Sequence, residues 1–183
     1  MKIKAILIAL TLSAVSVFGQ GLVTFQNSSI STPIRLPGGA LIPAGGQAYS
    51  FYFVYGPTLA NTSSTYFNSD TAAGRITTVG TADISIPNAP GSVPTTFQLY
   101  AYSTAAGSYA NATTTSGAYY YQSGIITQTP SSSPSPGTPL FGVTPGSSFQ
   151  GFTFNQTSTI PEPSTIALGI LGAGSLLMLR RKK

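Results

Sequence analysis

The chain offers little acid–base chemistry and much tyrosine. It has no histidine and no cysteine, and only three carboxylates, Asp70, Asp83 and Glu162. Without an imidazole there is no serine triad of the usual kind, and the commonest metal ligand is missing. Without a thiol there is no disulfide, no thiolate nucleophile and no Cys-ligated metal. Two carboxylates at a set distance could hydrolyse a glycosidic bond, so Asp70 and Asp83 are the one candidate acid pair. The competing reading is a turn at Asn68-Ser69-Asp70 and a strand start at Asp83. A calcium site on Asp70, Asn68 and backbone carbonyls is a third option, because calcium takes oxygen ligands. No catalytic residue, metal site or cofactor is assigned. Tyr100, Tyr102 and Tyr120 fall at outward strand positions and are the candidate ligand-binding residues. A tyrosine offers apolar area and a polar tip to a sugar ring or a matrix partner. It is also simply a good strand former.

These side chains must be positioned by strands. Tyr49, Phe51, Phe53 and Tyr55 recur at every second position, with Tyr52 and Val54 between them. Phe97, Leu99 and Ala101 likewise oppose Gln98, Tyr100 and Tyr102. Period two is the mark of a half-buried strand. Further strands are expected at 22–27, 75–79, 82–86, 118–126 and 149–155, the last with Gln150, Phe152 and Phe154 opposing Phe149 and Thr153. No helical period stands out before residue 165. Glycine and proline punctuate the chain at 36–46, 87–94 and 129–139, the last expected to be a mobile loop. Seven or eight short strands with such turns predict an all-β fold, an antiparallel β-sandwich of jelly-roll or immunoglobulin-like type. Serine and threonine number 24 each, yet 19 of the 20 aromatic residues lie between 20 and 160. Disordered chains are poor in aromatics, so this middle is read as folded. Asn-x-Ser/Thr triplets at Asn27, Asn61, Asn111 and Asn155 occur about as often as chance gives in such a composition.

The charge is confined to the ends. Formal net charge is +5. Lys2 and Lys4 give +2, Arg35 and Arg75 cancel Asp70 and Asp83, and Arg180, Arg181, Lys182 and Lys183 against Glu162 give +3. The middle carries no basic patch, so no nucleic-acid partner is expected. Residues 1–19 have a positive start, an apolar run from Ala5 to Val17 and a small residue at the end. That is the layout of a secretory signal peptide for the Sec machinery, with signal peptidase cutting at Gly19–Gln20. Ser16 is the alternative site.

The other end reads Pro161-Glu162-Pro163-Ser164, then an uncharged run, then Arg180-Arg181-Lys182-Lys183. Sixteen uncharged residues from Ser164 to Leu179 make a helix of ~24 Å. That is short against a ~30 Å hydrocarbon core, and snorkelling basic side chains or local thinning can close the gap. Gly169 and Ala173 have a spacing used in helix pairing. The terminal cations fix the C-terminus in the cytoplasm by the positive-inside rule. Three segments follow: a signal peptide at 1–19, a β-sandwich ectodomain at 20–160, and a tail at 161–183 with its transmembrane helix at 164–179.

The tail resembles the PEP-CTERM sorting signal over residues 161–183. Ile160 stands where that family often has valine. The resemblance implies recognition by an exosortase, a membrane-embedded transpeptidase-like cysteine protease that cuts near the Pro-Glu-Pro motif. Glu162 and its two prolines would then be read by another enzyme. The resemblance places the chain in a bacterial inner membrane, then at the cell surface or in the extracellular matrix. There an extracellular polysaccharide is a candidate partner. Gly21–Asn27, the stretch from Phe97–Ala101 to Gly107–Tyr109, and Phe149–Phe154 are loosely similar to ectodomains that accompany this signal. That likeness implies one β-rich domain and no activity.

Overall fold

A computed structural model describes residues 20–77 and 83–158. The expected signal segment at 1–19 and the tail from residue 159 lie outside the described residues. With them go Gly19, Pro161, Glu162, Pro163, Ser164, the expected helix at 164–179 and the cations Arg180, Arg181, Lys182 and Lys183. Residues 78–82, at the ends of two expected strands, lie outside as well. Among the described residues no helix is long and apolar enough to cross a membrane.

The described chain is β-rich. Seven strands precede the longest one: β1 Gly21–Thr24, β2 Ile34–Arg35, β3 Tyr49–Tyr55, β4 Asn61–Thr62, β5 Tyr66–Asn68, β6 Ile76–Thr77 and β7 Asp83–Ile86. The longest is β8, Thr95–Ser103. A 3-10 turn at Thr104–Ala106 and a one-turn helix, α1, Tyr109–Ala112, follow it. The remaining strands are β9 Tyr119–Gln122, β10 Ile126–Gln128, β11 Ser131–Ser132, β12 Thr138–Pro139, β13 Phe152–Thr153 and β14 Asn155–Gln156.

The two strands with the clearest alternation make the spine. Strand β3 pairs antiparallel with β8 over seven residue pairs, from Tyr49↔Ser103 to Tyr55↔Phe97. Phe51↔Ala101, Phe53↔Leu99 and Tyr55↔Phe97 face the core, while Tyr52↔Tyr100 and Val54↔Gln98 face away. This spine lies in a sheet ordered β14-β9-β8-β3-β5-β6, with β10 also on β8 and β4 also on β3. All its pairings are antiparallel.

The second sheet is built around β1. Strand β7 runs antiparallel along one edge of it, and β11 (antiparallel) and β12 (parallel) share the other. These two sheets and a two-stranded parallel sheet of β2 and β13 share one hydrophobic core. Phe25, just past β1, is fully buried. Its ring centroid lies 5.1 Å from Phe53, 5.1 Å from Tyr66 and 5.4 Å from Phe141. Burying such a side chain contributes about 1.5–3 kcal/mol.

Four local features differ from the sequence expectation. Segment 129–139 is a paired part of the second sheet, not a free loop. Its hydroxyls supply bonds its prolines cannot, with Ser131 Oγ donating to Leu22 O (3.3 Å) and Thr138 Oγ1 to Thr129 O (2.8 Å). Gly137 allows the close approach, since a Cβ there would fall 2.6 Å from Asp83 Oδ1. Stretch 118–126 breaks into β9 and β10, because Ser123 Oγ takes the Leu99 N–H (2.8 Å) that a regular ladder would use. In 149–155 the alternation slips at Gly151, so Phe149, Phe152 and Phe154 are all buried. A Cβ on Gly151 would lie 2.6 Å from Pro33 O, which ties this turn against the chain leading into β2. Finally, α1 forms although no period announces it. Ser108 caps it, its Oγ accepting from Asn111 N–H at 3.1 Å.

Candidate functional site

The outward face of the β9-β8-β3 strands gathers tyrosines. Tyr52 on β3 stacks on Tyr100 directly across on β8, centroids 5.2 Å apart and planes at 8°. Tyr102, two residues on, meets Tyr52 edge-on at 6.3 Å. Tyr120 lies across from Tyr102 on β9. Helix α1 then places Tyr109 over this row, edge-on to Tyr100 at 4.9 Å and to Tyr120 at 6.3 Å. The structure therefore brings Tyr100, Tyr102 and Tyr120 together and adds Tyr52 and Tyr109.

Two glutamines tie the row into a polar network. Gln122 Nε2 donates to Tyr100 Oη (3.1 Å), which donates to Gln98 Oε1 (3.0 Å). Tyr109 Oη donates to Gln122 Oε1 (3.3 Å), and Gln98 Nε2 to Ser123 O (2.9 Å). Burial raises the Tyr52 pKa above 10.0, with neighbouring Tyr100, Tyr102 and Tyr109 adding to it. Tyr109 is raised by burial first, then by Tyr100 and Tyr120. These phenols therefore stay neutral and keep their protons as donors at physiological pH. The network contains no aspartate, glutamate, lysine or arginine.

The same stacking limits the rings. All five tyrosines are half-buried, and Tyr100 has one face against Tyr52 and Tyr109 against it edge-on. What remains open is a surface of ring edges, hydroxyls and amides. Such a surface suits hydrogen bonding to a neutral, hydroxyl-rich ligand more than stacking of a sugar on a bare ring. Tyr119 and Tyr121 point the other way and pack on the core, with Tyr121 stacked on Phe152 at 3.8 Å.

The two carboxylates belong to different parts of the fold. Asp70 is exposed in a bend after β5, while Asp83 begins β7 in the other sheet and accepts from Thr24 Oγ1 (2.8 Å). Asn68, the companion expected for a calcium site, is buried and already committed. Its Oδ1 accepts Tyr49 N–H (3.0 Å) and its Nδ2 donates to Pro43 O (3.1 Å) and Gly45 O (2.8 Å). No group of three acidic side chains that could hold a metal occurs among the described residues. An open groove of ≈ 390 Å³ beside Arg35 is lined by Ser31, Gln150 and Phe152 among others, and holds no carboxylate.

Asn27 is a further buried amide, used wholly by the backbone. Its Nδ2 donates to Thr32 O (2.8 Å) and Gly74 O (2.7 Å), and its Oδ1 accepts Ile76 N–H (2.8 Å). That triplet is structural. Asn111 and Asn155 are the exposed ones.

Comparison with known proteins adds the decisive observation at the other end of the chain. Residues 159–183 match the PEP-CTERM protein-sorting motif. The chain carries a PEP-CTERM tail. Such a tail marks a membrane-anchored protein of the cell envelope that an exosortase processes. The match spans the Pro161-Glu162-Pro163 motif, the apolar run and the basic end expected from the sequence. No curated protein and no solved structure matches the chain.

Proposed function

We propose that this is an exported, non-enzymatic protein of the cell surface or extracellular matrix, delivered there by its PEP-CTERM tail. The match at residues 159–183 carries this reading. Segment 1–19 sends the chain through Sec, and signal peptidase cuts at Gly19–Gln20. The apolar run 164–179 then holds it in the inner membrane, with Arg180, Arg181, Lys182 and Lys183 on the cytoplasmic side. The exosortase cuts near Pro161-Glu162-Pro163-Ser164, where two prolines keep the backbone extended and remove donors. Residues 20–160, read as a β-sandwich, are released or transferred to the surface. Immunoblots of cells and medium test this. Deleting the exosortase, or replacing Pro161-Glu162-Pro163 by alanines, should leave a larger, membrane-bound form. Unchanged size and location in both would refute it.

A second reading concerns what the ectodomain does there. The convergence of five tyrosines and two glutamines on one uncharged face favours binding of a neutral extracellular polysaccharide. Tyr102→Ala and Tyr120→Ala should each weaken retention on a glycan array, while Ile30→Ala, exposed in the loop before β2, should not. Absence of binding to any polysaccharide would refute this reading and leave the first intact.

A further inference from the structure

Strand β1 opens the ectodomain and is the centre of its sheet, so its N-terminal end needs protection. Gly21 N–H is bonded to Ala89 O at 2.7 Å. A Cβ on Gly21 would lie 2.5 Å from Pro130 Cβ and 2.8 Å from Ala89 O, so the backbone is clamped at this residue. Gln20 is the first residue beyond the clamp, and it is exposed. Its side chain does not hang free. Ser85 of β7 lies across from Leu22. That makes it a diagonal neighbour of Gln20 on the same face of the sheet. Its Oγ donates a short hydrogen bond to Gln20 Oε1.

We propose that Gln20 becomes the N-terminal residue of the mature protein and closes to a pyroglutamyl lactam, with Ser85 as hydrogen-bond donor to the reacting carbonyl. The proposal rests on the export reading above, which exposes the Gln20 α-amine. An α-amine titrates near ~8, so a fraction is free base at physiological pH. That nitrogen attacks Cδ of its own carboxamide. A bond forms between the α-nitrogen and Cδ, and charge gathers on Oε1, where the Ser85 hydroxyl already points. The Cδ–Nε2 bond then breaks. One proton moves from the α-nitrogen to Nε2, which leaves as ammonia. No oxidant or cofactor is needed, and Oε1 remains as the lactam oxygen, still facing Ser85.

The product carries no N-terminal charge and offers no free amine to an aminopeptidase. Stepwise removal of Gln20, Gly21 and Leu22 would strip the strand on which β7, β11 and β12 all pair. The lactam blocks the first step.

The test uses the full chain made in an exporting host, with the mature form isolated soon after synthesis and followed over days. Cleavage after Arg35 yields an N-terminal peptide for tandem mass spectrometry. A peptide beginning at residue 20 and lighter by one ammonia is the expected result. Ser85→Ala should slow closure about two- to tenfold, the range one exposed hydrogen bond supplies, and Ser85→Thr should restore it. A peptide beginning at residue 20 that keeps its free amine and amide overturns the lactam and leaves the export reading standing. A peptide beginning elsewhere overturns both the cut site and the lactam. Equal closure rates in Ser85→Ala and the natural chain overturn the role of Ser85.

Discussion

Replacing Asn27 by alanine should cost the ectodomain a large part of its stability, although Asn27 lies in a polar, serine-rich stretch that looks tolerant. Its amide joins three backbone groups from separate parts of the chain: Thr32 O, Gly74 O and Ile76 N–H. Gly74 O keeps a second donor in Ile34 N–H at 3.2 Å, so the loss falls mainly on the other two. A buried backbone group left unsatisfied costs about 1–3 kcal/mol. The expected loss is therefore about 2–6 kcal/mol, against a total of about 5–15 kcal/mol for an ordinary domain. In urea, with a slope of about 2 kcal/mol per molar, the midpoint should fall by about 1–3 M with the slope unchanged. Asn27→Asp should also destabilise, since a carboxylate oxygen would face the carbonyls of Thr32 and Gly74. Asn155→Ala, at an exposed triplet of the same sequence type, should stay within about 0.5 kcal/mol. A loss below about 1 kcal/mol for Asn27→Ala would refute the reasoning, because water would then be replacing the amide without penalty.

Phe25→Ala should cost about 3–5 kcal/mol in the same assay, since the ring sits among Phe53, Tyr66 and Phe141 and leaves a cavity. Stability should fall as pH rises past about 10. Tyr49, Tyr52, Tyr55, Tyr66, Tyr109 and Tyr121 all have pKa values raised chiefly by burial. The unfolded chain then loses protons first, so the stabilisation is whole below the ordinary tyrosine pKa and is lost as pH climbs through the folded values. Denaturation midpoints measured from about pH 8 to pH 11 would show it, and a flat profile across pH 10 would contradict it.

Much of the spine was legible in the sequence because it is local. Phe51 to Tyr55 of β3 and Thr95 to Tyr102 of β8 alternate buried with half-buried residues, and the half-turned tyrosines fall where period two puts them. Two of the two-residue strands were not legible. Ile34–Arg35 and Thr138–Pro139 are strands only because distant chain comes alongside, each in a parallel pair. Tyr109 escaped for a related reason. It sits on a single helical turn fixed by Ser108 and by packing, too short for any period to show. Asn27 read as the end of a strand and Asn68 as a turn residue, and nothing in their neighbours says that their amides would be buried. The composition did narrow the candidate site, since neutral tyrosine and glutamine are nearly all the chemistry the middle of the chain possesses.

The pairing of β1 sets a schedule. Thr24 Oγ1 reaches Gly137 O across 113 positions, and Ser131 Oγ reaches Leu22 O across 109. For a chain threaded through a membrane from its front, the first strand to arrive is among the last to complete its pairing. Until residue 139 has crossed, β1 waits with one edge bare. Long-range pairing of this kind closes slowly. A helix at 164–179 would hold the chain at the membrane through that interval, so the exosortase would meet a domain that has had time to finish. The tail would thus act as a clock as well as an address.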